Sequence, residues 1–349
     1  MDERVRLVKV IAKARCDQQR GESPLHKNWA VVTACGPGDR EVERVTDLLE
    51  ALFYYEPQTR WVNIIDSADD DRKLAEHFKV PGGTTIASVR NPKPGRAPGQ
   101  WGGLCVGVMA AYAWVVRNTD ARFVVKFDSD ALVIAPFSTP IFQAMREYPH
   151  AGIFGSYLKD CNGYLRDYRG MGGLMKRLHR LLLLEHEPTR FGRRFPLALW
   201  GRTAAIRKHI AIAVRNGYQY GEHVQGGAYA ITRELLNRME RFKYFDQRLI
   251  WADTEMSEDV MFGMYAFAVG LGMAGLASTG DVFGVKHIGL PDTPQSLIQR
   301  GYSIIHSVKN DQAFTEADIR SFFRSRRVDD VKADTVSYPL PQRGVGEAS

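Results

Sequence analysis

Two aspartates separated by one serine interrupt an otherwise apolar stretch of the chain, RFVVKFDSDALVIAPF at residues 122–137. Alternate residues of a strand point the same way, so Asp128 and Asp130 would bring two like charges together. Hard divalent cations such as Mg²⁺ and Mn²⁺ take oxygen ligands and are often held by one or two carboxylates plus substrate phosphates. The stretch, with Ser129 between its acids, predicts half of a metal site. The same residue types are also common in turns and helix caps.

A histidine late in the chain can complete such a site. His306 follows an apolar pair in IIHSVKN, residues 304–310. It is either a core histidine or a metal ligand that completes the coordination begun by the aspartates. His287, in VKHIG, competes for the same role. Lys309, three residues after His306, carries a charge suited to a phosphate oxygen.

Two acids open an apolar helical pattern in SEDVMFG, residues 257–263. Ser257 is a usual N-cap residue, and acids in a first turn complement the helix dipole, so Glu258 and Asp259 fit an ordinary helix start. A carboxylate beside a metal can also take the proton from an attacking hydroxyl, provided it lies within hydrogen-bond distance. The residues alone leave both interpretations open.

Two adjacent glycines precede the strand pattern AYAIT, in the stretch QGGAYAITRELL at residues 225–236. Glycine lets a backbone turn sharply or approach a ligand closely. Gly226 and Gly227 are therefore interpreted either as a plain turn or as part of a ligand site.

Strand-like and helix-like patterns alternate through the first half of the chain. Strands are predicted at residues 29–34, 60–66, 84–89 and 123–127, and helices at 39–54 and 104–117. This alternation is typical of an α/β protein with a doubly wound, mostly parallel sheet. Ligands of such sheets bind beyond the carboxyl ends of the strands. Asp66 and the Asp128–Asp130 pair both fall at such predicted ends.

The net charge of the 349-residue chain, +7, is concentrated in one segment. Residues 157–222 contain 13 Lys and Arg against 5 Asp and Glu, and helices are predicted there at 174–186 and 203–218. The segment is either a helical subdomain with solvated basic residues or a surface that attracts anionic groups. The stretch MGGLMKRLHRLLLLEH places apolar residues beside basic ones, as interfacial helices at anionic membranes do. Nucleic acid is not predicted as a partner, because no nucleic-acid-binding module is recognisable.

The cysteines and the apolar runs indicate the compartment. Four widely spaced cysteines, Cys16, Cys35, Cys105 and Cys161, show no metal-type pairing and predict reduced, packed thiols. No leader pattern opens the sequence, and no run reaches the roughly 18 apolar residues that a membrane span needs. We therefore expect a cytoplasmic protein, and peripheral attachment to a membrane stays open.

Taken together, the motifs VVKFDSDALV, GGAYAITRELL and EDVMFG, followed by the late histidine, resemble those of a known family. Their order is similar to that of nucleotide-sugar-dependent glycosyltransferases of the GT-A fold, above all the inverting beta-1,3-galactosyltransferase/N-acetylglucosaminyltransferase and fringe-like group. The resemblance covers roughly residues 29–155 and 223–325. It implies a Rossmann-like, mixed but mostly parallel sheet flanked by helices, into which the basic helical segment 157–222 is inserted.

The resemblance implies roles for individual residues. Asp130 would be the direct ligand of Mn²⁺ (or Mg²⁺), with His306 as its protein partner, and Asp128 would hold a metal-bound water or the ribose. Asp259 would be the base that deprotonates the acceptor hydroxyl, with Glu258 as the second choice. The residues expected to contact the UDP-sugar are Thr33, Ala34 and Asp66 for uracil and ribose, Asp128 and Ser129 beside them, Gly226 and Gly227 for the sugar, and Lys309 and Arg96, with Arg90 and Lys93, for the diphosphate.

The resemblance also implies a function and a division of the chain. The function is metal-dependent, inverting transfer of a hexose from a UDP-sugar to the hydroxyl of a glycan, glycolipid or small molecule, a step of carbohydrate biosynthesis. The predicted parts of the chain are an N-terminal arm (1–28), a nucleotide-binding half (29–156), the basic helical insertion (157–222), an acceptor and catalytic half (223–326) and a disordered tail (327–349).

The sequence departs from the family in ways that keep alternatives open. Animal members have a membrane anchor and disulfides, which this chain lacks, so a bacterial-type enzyme is expected. The motif Asp-Ser-Asp, in place of three consecutive acids, leaves the sugar open. A sugar nucleotidyltransferase would carry a basic glycine-rich loop after the first strand, whereas CGPGDREVE has one arginine and more acid. The remaining alternatives are a retaining GT-A enzyme and a non-catalytic nucleotide-sugar-binding protein.

Overall fold

A computed structural model of the chain describes residues 28–68, 72–92, 101–180, 197–309 and 311–336, without the side chains of 197–201 and 329–336. Nearly all of the predicted N-terminal arm, together with Cys16, Lys93 and Arg96, lies outside the described residues. Cys35, Cys105 and Cys161 are buried free thiols, in agreement with the sequence-based expectation.

The described strands form two sheets. The strands are β1 (Ala30–Cys35), β2 (Trp61–Asp66), β3 (Thr85–Arg90), β4 (Phe123–Phe127), β5 (Leu132–Val133), β6 (Ala151–Gly155), β7 (Ala228–Thr232), β8 (Gly272–Gly275), β9 (Phe283–Val285) and β10 (Ile304–His306). The large sheet has the order β3-β2-β1-β4-β7-β6-β8, and β7 alone of these seven runs antiparallel to its neighbours. The predicted mostly parallel α/β sheet is confirmed, and it is compatible with a Rossmann-like GT-A fold.

Helices cover both faces of the large sheet. They are α1 (Asp39–Tyr55), α2 (Gly102–Asn118), α3 (Ser138–Glu147), α4 (Arg169–Arg180), α5 (Leu197–Arg215), α6 (Arg233–Arg241), α7 (Glu258–Ala268), α8 (Pro294–Gln299) and α9 (Glu316–Val336), with 3₁₀ turns at Leu74–His77 and Arg248–Trp251. Alternate strand residues enter two separate apolar clusters, because successive side chains of a strand point to opposite faces. One cluster includes residues of α1, α3, α8 and α9, and the other includes residues of α2, α5, α6 and α7.

A small second sheet carries the late histidine back to the aspartates. Its order is β5-β10-β9, and β10 pairs antiparallel with β5, the strand that follows the Asp-Ser-Asp stretch. Ile304 lies opposite Val133 and Ile305 opposite Leu132, so His306 reaches the start of β5. These strands have two or three residues each, too few for a periodic pattern. The apolar run ALVIAPF after the aspartates indicates β5, whereas the sequence does not predict β9 and β10.

The basic insertion packs onto the body of the protein. Met175 of α4 and Ile206 and Ile210 of α5 are buried in the cluster that contains α2 and α7. The other apolar residues of α4, Met171, Leu174 and Leu178, pack against the same cluster. Its basic residues Lys176, Arg177 and Arg180 are exposed. Helix α4 begins five residues before the predicted start, and the predicted helix beyond Arg180 lies outside the described residues.

The predicted disordered tail begins too early. Residues 327–336 continue α9, and only residues 337–349 of the tail lie outside the described residues. Arg320, Arg324 and Arg327 recur on one face of this helix and donate to the carboxylate of Asp47 in α1, which is only 3% exposed. These arginines are spaced by three or four residues, which places them on one face of a helix. The overall composition of the tail obscures this helical pattern in the sequence.

We predict that Asp47→Ala lowers the free energy of unfolding by about 3 kcal/mol or more, because it leaves the buried guanidinium of Arg327 without its carboxylate and removes one of the two acids that bind Arg320. Glu50→Ala, in the same helix but at an exposed position, is the matched control and should change stability by less than about 0.5 kcal/mol. Denaturant unfolding of both variants measures the difference. Equal stability of the two variants would contradict the anchoring of α9 by Asp47.

Candidate metal site

The Asp-Ser-Asp stretch forms a turn between β4 and β5 rather than part of a strand. The amide of Asp128 donates to the carbonyl of Gly227 (2.7 Å), and the amide of Ala131 donates to the carbonyl of Asp128 (3.0 Å). The two carboxylates therefore converge because the chain turns, and not because alternate strand residues share a face. The sequence leaves a turn and a metal site as alternatives here, and in the structure the turn itself forms the candidate metal site.

Asp128, Asp130 and His306 bring three potential ligand atoms within 4.8 Å of one another. His306 Nε2 lies 3.4 Å from Asp130 Oδ1 and 3.7 Å from Asp128 Oδ2. Nδ1 of His306 lies 2.8 Å from the carbonyl oxygen of Lys286, which can only accept, so Nδ1 carries a proton and Nε2 faces the carboxylates. Within the described part of the chain this is the only such group of three, and its donors suit a divalent cation.

Asp130 is prepared to carry a negative charge although it is only 1% exposed. Ser307 Oγ donates to its Oδ2 (2.5 Å), whereas its buried Oδ1 accepts no hydrogen bond and faces Lys309 Nζ at 3.4 Å. Burial raises the pKa of Asp130, but His306, Lys309 and Ser307 outweigh burial and hold the pKa below its ordinary value. A buried, ionised oxygen without a hydrogen-bond donor is what a cation would bind.

A buried lysine joins the turn to α7. Lys126 is fully buried in β4, and its Nζ donates to Asp128 Oδ1 (2.6 Å) and to Glu258 Oε1 (2.6 Å). Burial lowers its pKa, but the two carboxylates outweigh burial and raise the pKa above its ordinary value. The sequence-based predictions omit Lys126. Its signal is a single charge inside a strand, FVVKF, whose other four residues are apolar.

The two acids of α7 differ in what they contact. Glu258 is 4% exposed, and its carboxylate is held by Lys126. Burial raises its pKa and outweighs the attraction of Lys126, and the charges of Asp259 and Asp128 raise it further. Asp259 accepts the amide of Gly226 at Oδ2 (2.8 Å) and the amide of Val260 at Oδ1 (2.8 Å). Burial raises the pKa of Asp259 as well, but the charge that His223 carries when it is protonated, together with the hydrogen bonds, outweighs burial and lowers the pKa below its ordinary value.

The adjacent glycines permit the close approach of these groups. A Cβ on Gly226 would lie 2.7 Å from Asp259 Oδ2, and a Cβ on Gly227 would lie 2.4 Å from His306 Nδ1. Gly227 also has a φ of 100°, which L-residues with a side chain rarely adopt. Gly226 and Gly227 thus connect the acid of α7 with the metal-ligand group, and their contact with a donor sugar stays a prediction.

The residues predicted to bind the nucleotide lie at the carboxyl ends of β1 and β2 or in the turn. Asp66 ends β2 and binds Arg72 Nη2 at 2.5 Å, a partner that the sequence does not indicate. Thr33 is fully buried, and its hydroxyl has no hydrogen-bond partner. Ser129 donates to Glu41 (2.5 Å).

The other predicted contact residues have more open surroundings. Ala34, next to Thr33, is half-buried and packs against the cluster that contains α2 and α7. Arg90 ends β3 and is exposed. His287 is exposed and does not belong to the group formed by Asp128, Asp130 and His306. Of the two competing histidines, His306 is therefore the one that lies beside the aspartates.

No protein-family model matches the chain, and no curated protein is similar enough to it to count as a relative. None of the helices in the described ranges is long and apolar enough to cross a bilayer. The function proposed below therefore rests on the geometry of the site.

We predict that His306→Gln lowers the affinity for Mn²⁺ by at least about tenfold, because loss of a ligand should cost no less than the loss of a group that orients one. His287→Gln removes the competing, exposed histidine and should leave the affinity unchanged. Titration calorimetry or the electron paramagnetic resonance signal of free Mn²⁺ measures both. An equal effect of the two substitutions would contradict the assignment of His306.

We predict that Lys126→Met destabilises the fold by about 3–5 kcal/mol, because it leaves Glu258 buried without its counter-charge. The double variant Lys126→Met/Glu258→Gln should recover at least half of that loss, since removing both charges also removes the uncompensated one. Denaturant unfolding checks both values. A double variant as unstable as the single one would show that the ion pair does not account for the effect.

Proposed function

We propose that the protein is a metal-dependent, inverting glycosyltransferase that moves a hexose from a UDP-sugar to an acceptor hydroxyl. The observation that carries the proposal is the group Asp128, Asp130 and His306, joined through Gly226 and Gly227 to the ionised carboxylate of Asp259. The pieces that resemble the family in sequence thus converge in space, although they are far apart in the chain.

The donor set supports a bound Mn²⁺ or Mg²⁺. Asp130 Oδ1, His306 Nε2 and Asp128 Oδ2 would hold the cation, since Asp128 Oδ1 is already bound by Lys126. The cation supplies positive charge that stabilises the departing diphosphate. Lys309, whose side chain is 37% exposed beside Asp130, can contact a phosphate oxygen.

Asp259 is the better of the two candidate bases. The amides of Gly226 and Val260 donate to its two carboxylate oxygens and favour the ionised form, which can accept a proton at neutral pH. Glu258 is less suited, because Lys126 occupies its carboxylate. A base that deprotonates the acceptor for in-line attack on the anomeric carbon leads to inversion.

The remaining contacts of the donor follow from the same proposal. Asp66, fixed by Arg72, would bind the ribose, and Thr33, Ala34 and Ser129 would line the uracil and ribose positions. Arg96 would reach the diphosphate from the glycine-rich loop.

The basic insertion supports an anionic acceptor or an anionic membrane surface as partner. Lys176, Arg177 and Arg180 project from α4 and are exposed. The apolar residues of the same helix pack on the protein, so they are not available for insertion into a bilayer. The proposed attraction is therefore electrostatic, and it should weaken with added salt.

We expect the protein to release UDP slowly from one UDP-sugar in the presence of Mn²⁺, by hydrolysis or by transfer to an added acceptor. Asp130→Ala should abolish metal-dependent UDP binding. Asp259→Asn should retain that binding but transfer sugar about 10²- to 10⁴-fold more slowly, because only the base is lost. Glu50→Gln, an exposed acid in α1, is the control.

The products distinguish the proposal from its alternatives. Inverted anomeric configuration, determined by nuclear magnetic resonance, supports the role of Asp259, and retained configuration removes it. Formation of a UDP-sugar and pyrophosphate from UTP and a sugar 1-phosphate would indicate a nucleotidyltransferase instead. Binding of UDP and Mn²⁺ by Asp130→Ala as tightly as by the parent protein would contradict the metal site.

A further inference from the structure

His223 lies between the basic insertion and Asp259, and its hydrogen bonds define its tautomer. Its Nδ1 lies 2.6 Å from the carbonyl oxygen of Gly221, and its Nε2 lies 2.9 Å from Arg166 Nη2. A carbonyl oxygen can only accept a hydrogen bond and a guanidinium can only donate one. Nδ1 therefore carries the proton and Nε2 presents its lone pair, so the imidazole is neutral.

Arg166 belongs to the insertion and is held firmly in place. Its Nη1 donates to the carbonyls of Ser156 (2.7 Å) and His223, and its Nη2 also donates to Gln225 Oε1 (3.1 Å). Its guanidinium carbon lies 5.1 Å from the centre of the Tyr168 ring. Because a guanidinium stays charged, Arg166 makes protonation of His223 at Nε2 unfavourable both by geometry and by charge.

The neutral form of His223 leaves an oxygen of Asp259 without an ion-pair partner. His223 Nε2 lies 3.8 Å from Asp259 Oδ2. With no proton on Nε2, the imidazole cannot donate to this oxygen, and the amide of Gly226 is the donor at Oδ2 that the geometry provides. A protonated His223 would instead form an ion pair with Asp259 and compete with an acceptor hydroxyl for its lone pairs.

We propose that Arg166 is a positioning residue: it holds His223 as the neutral Nδ1–H tautomer and so leaves Asp259 Oδ2 free to take a proton from the acceptor. The inference rests on the proposed function as far as Asp259 is concerned, and it gives the insertion a part in the site. The tautomer itself requires no assumption about the reaction.

The other charged and titratable groups around His223 are consistent with its neutrality. Asp259 faces it from α7, the ring of Tyr168 contacts it at 5.3 Å between centroids, and the neighbouring Glu222 accepts from Tyr157 (3.4 Å). Burial lowers the pKa of His223, and the charge of Arg166 lowers it further, together outweighing the opposite pull of Asp259.

Nuclear magnetic resonance of the full chain with ¹⁵N-labelled histidine tests the tautomer without substrate. The His223 signal is identified by its loss in His223→Asn. We expect a protonated Nδ1 and an unprotonated Nε2 at neutral pH, and a midpoint of protonation below the ordinary histidine pKa of about 6.5. An imidazolium, or a proton on Nε2, at neutral pH would overturn the inference.

Arg166→Met should raise the pKa of His223 by about one unit or more, because the negative charge of Asp259 then acts on the imidazole without the opposing charge of Arg166. The acid limb of the pH dependence of kcat should move upward with it, and the rate should recover at higher pH. A structural defect alone would lower the rate at all pH values. In the His223→Asn background the same substitution should not move the acid limb, because an amide cannot become charged.

Arg169→Met is the matched control. Arg169 also belongs to the insertion, but its side chain is 91% exposed and pairs with Asp167, so its loss should change neither the tautomer nor the rate. An acid limb that stays in place in Arg166→Met while the pKa of His223 rises would overturn the link to Asp259. Absence of any glycosyl transfer by the parent protein would contradict the proposed function but not the tautomer.

Discussion

The structure of the site depends on one buried positive charge. Transfer of an ammonium group from water to a protein interior costs several kcal/mol, and the cost is offset only when the partners are close and well placed. Lys126 has two carboxylate partners at 2.6 Å, one in the metal-ligand turn and one at the start of α7. Neither segment can move away without exposing an uncompensated charge. The distance between the metal ligands and the candidate base is thereby constrained.

The same ion pairs assign different tasks to neighbouring acids. Asp128 gives one oxygen to Lys126 and keeps Oδ2 for His306 and a cation, whereas Asp130 keeps an oxygen without any hydrogen bond. Glu258 neutralises the lysine, which leaves Asp259 as the acid that meets the glycine backbone. Four carboxylates close together can coexist because each has a cation or donor: Asp128 and Glu258 share Lys126, Ser307 donates to Asp130, and backbone amides donate to Asp259.

The sequence predicts what local patterns encode, and it misses what only distant contacts create. Apolar runs revealed β1, β2 and β4, and the order of the motifs indicated Asp128, Asp130, His306 and Asp259, which the fold brings near one another. The two- and three-residue strands β5, β9 and β10 have no periodicity of their own, and pairing alone defines them: β10 pairs antiparallel with β5 and parallel with β9. The arginines along α9 bind Asp47, which is far away in the chain. The sequence does not single out Lys126, because one of its partners lies in a turn and the other, Glu258, lies in a helix 132 residues away.

The insertion is better understood as part of the site than as an attachment to it. Its helices contribute to the apolar cluster around α7, and its Arg166 donates to the backbone carbonyls of Ser156 and His223. A basic residue near a candidate base could have lowered the activity of that base by pairing with it. Here the guanidinium donates to the imidazole and to carbonyl oxygens instead, so the positive charge acts on the histidine. The effect is to keep a second cation from forming beside Asp259, so that its Oδ2 is not occupied by an ion pair and stays available to the acceptor hydroxyl.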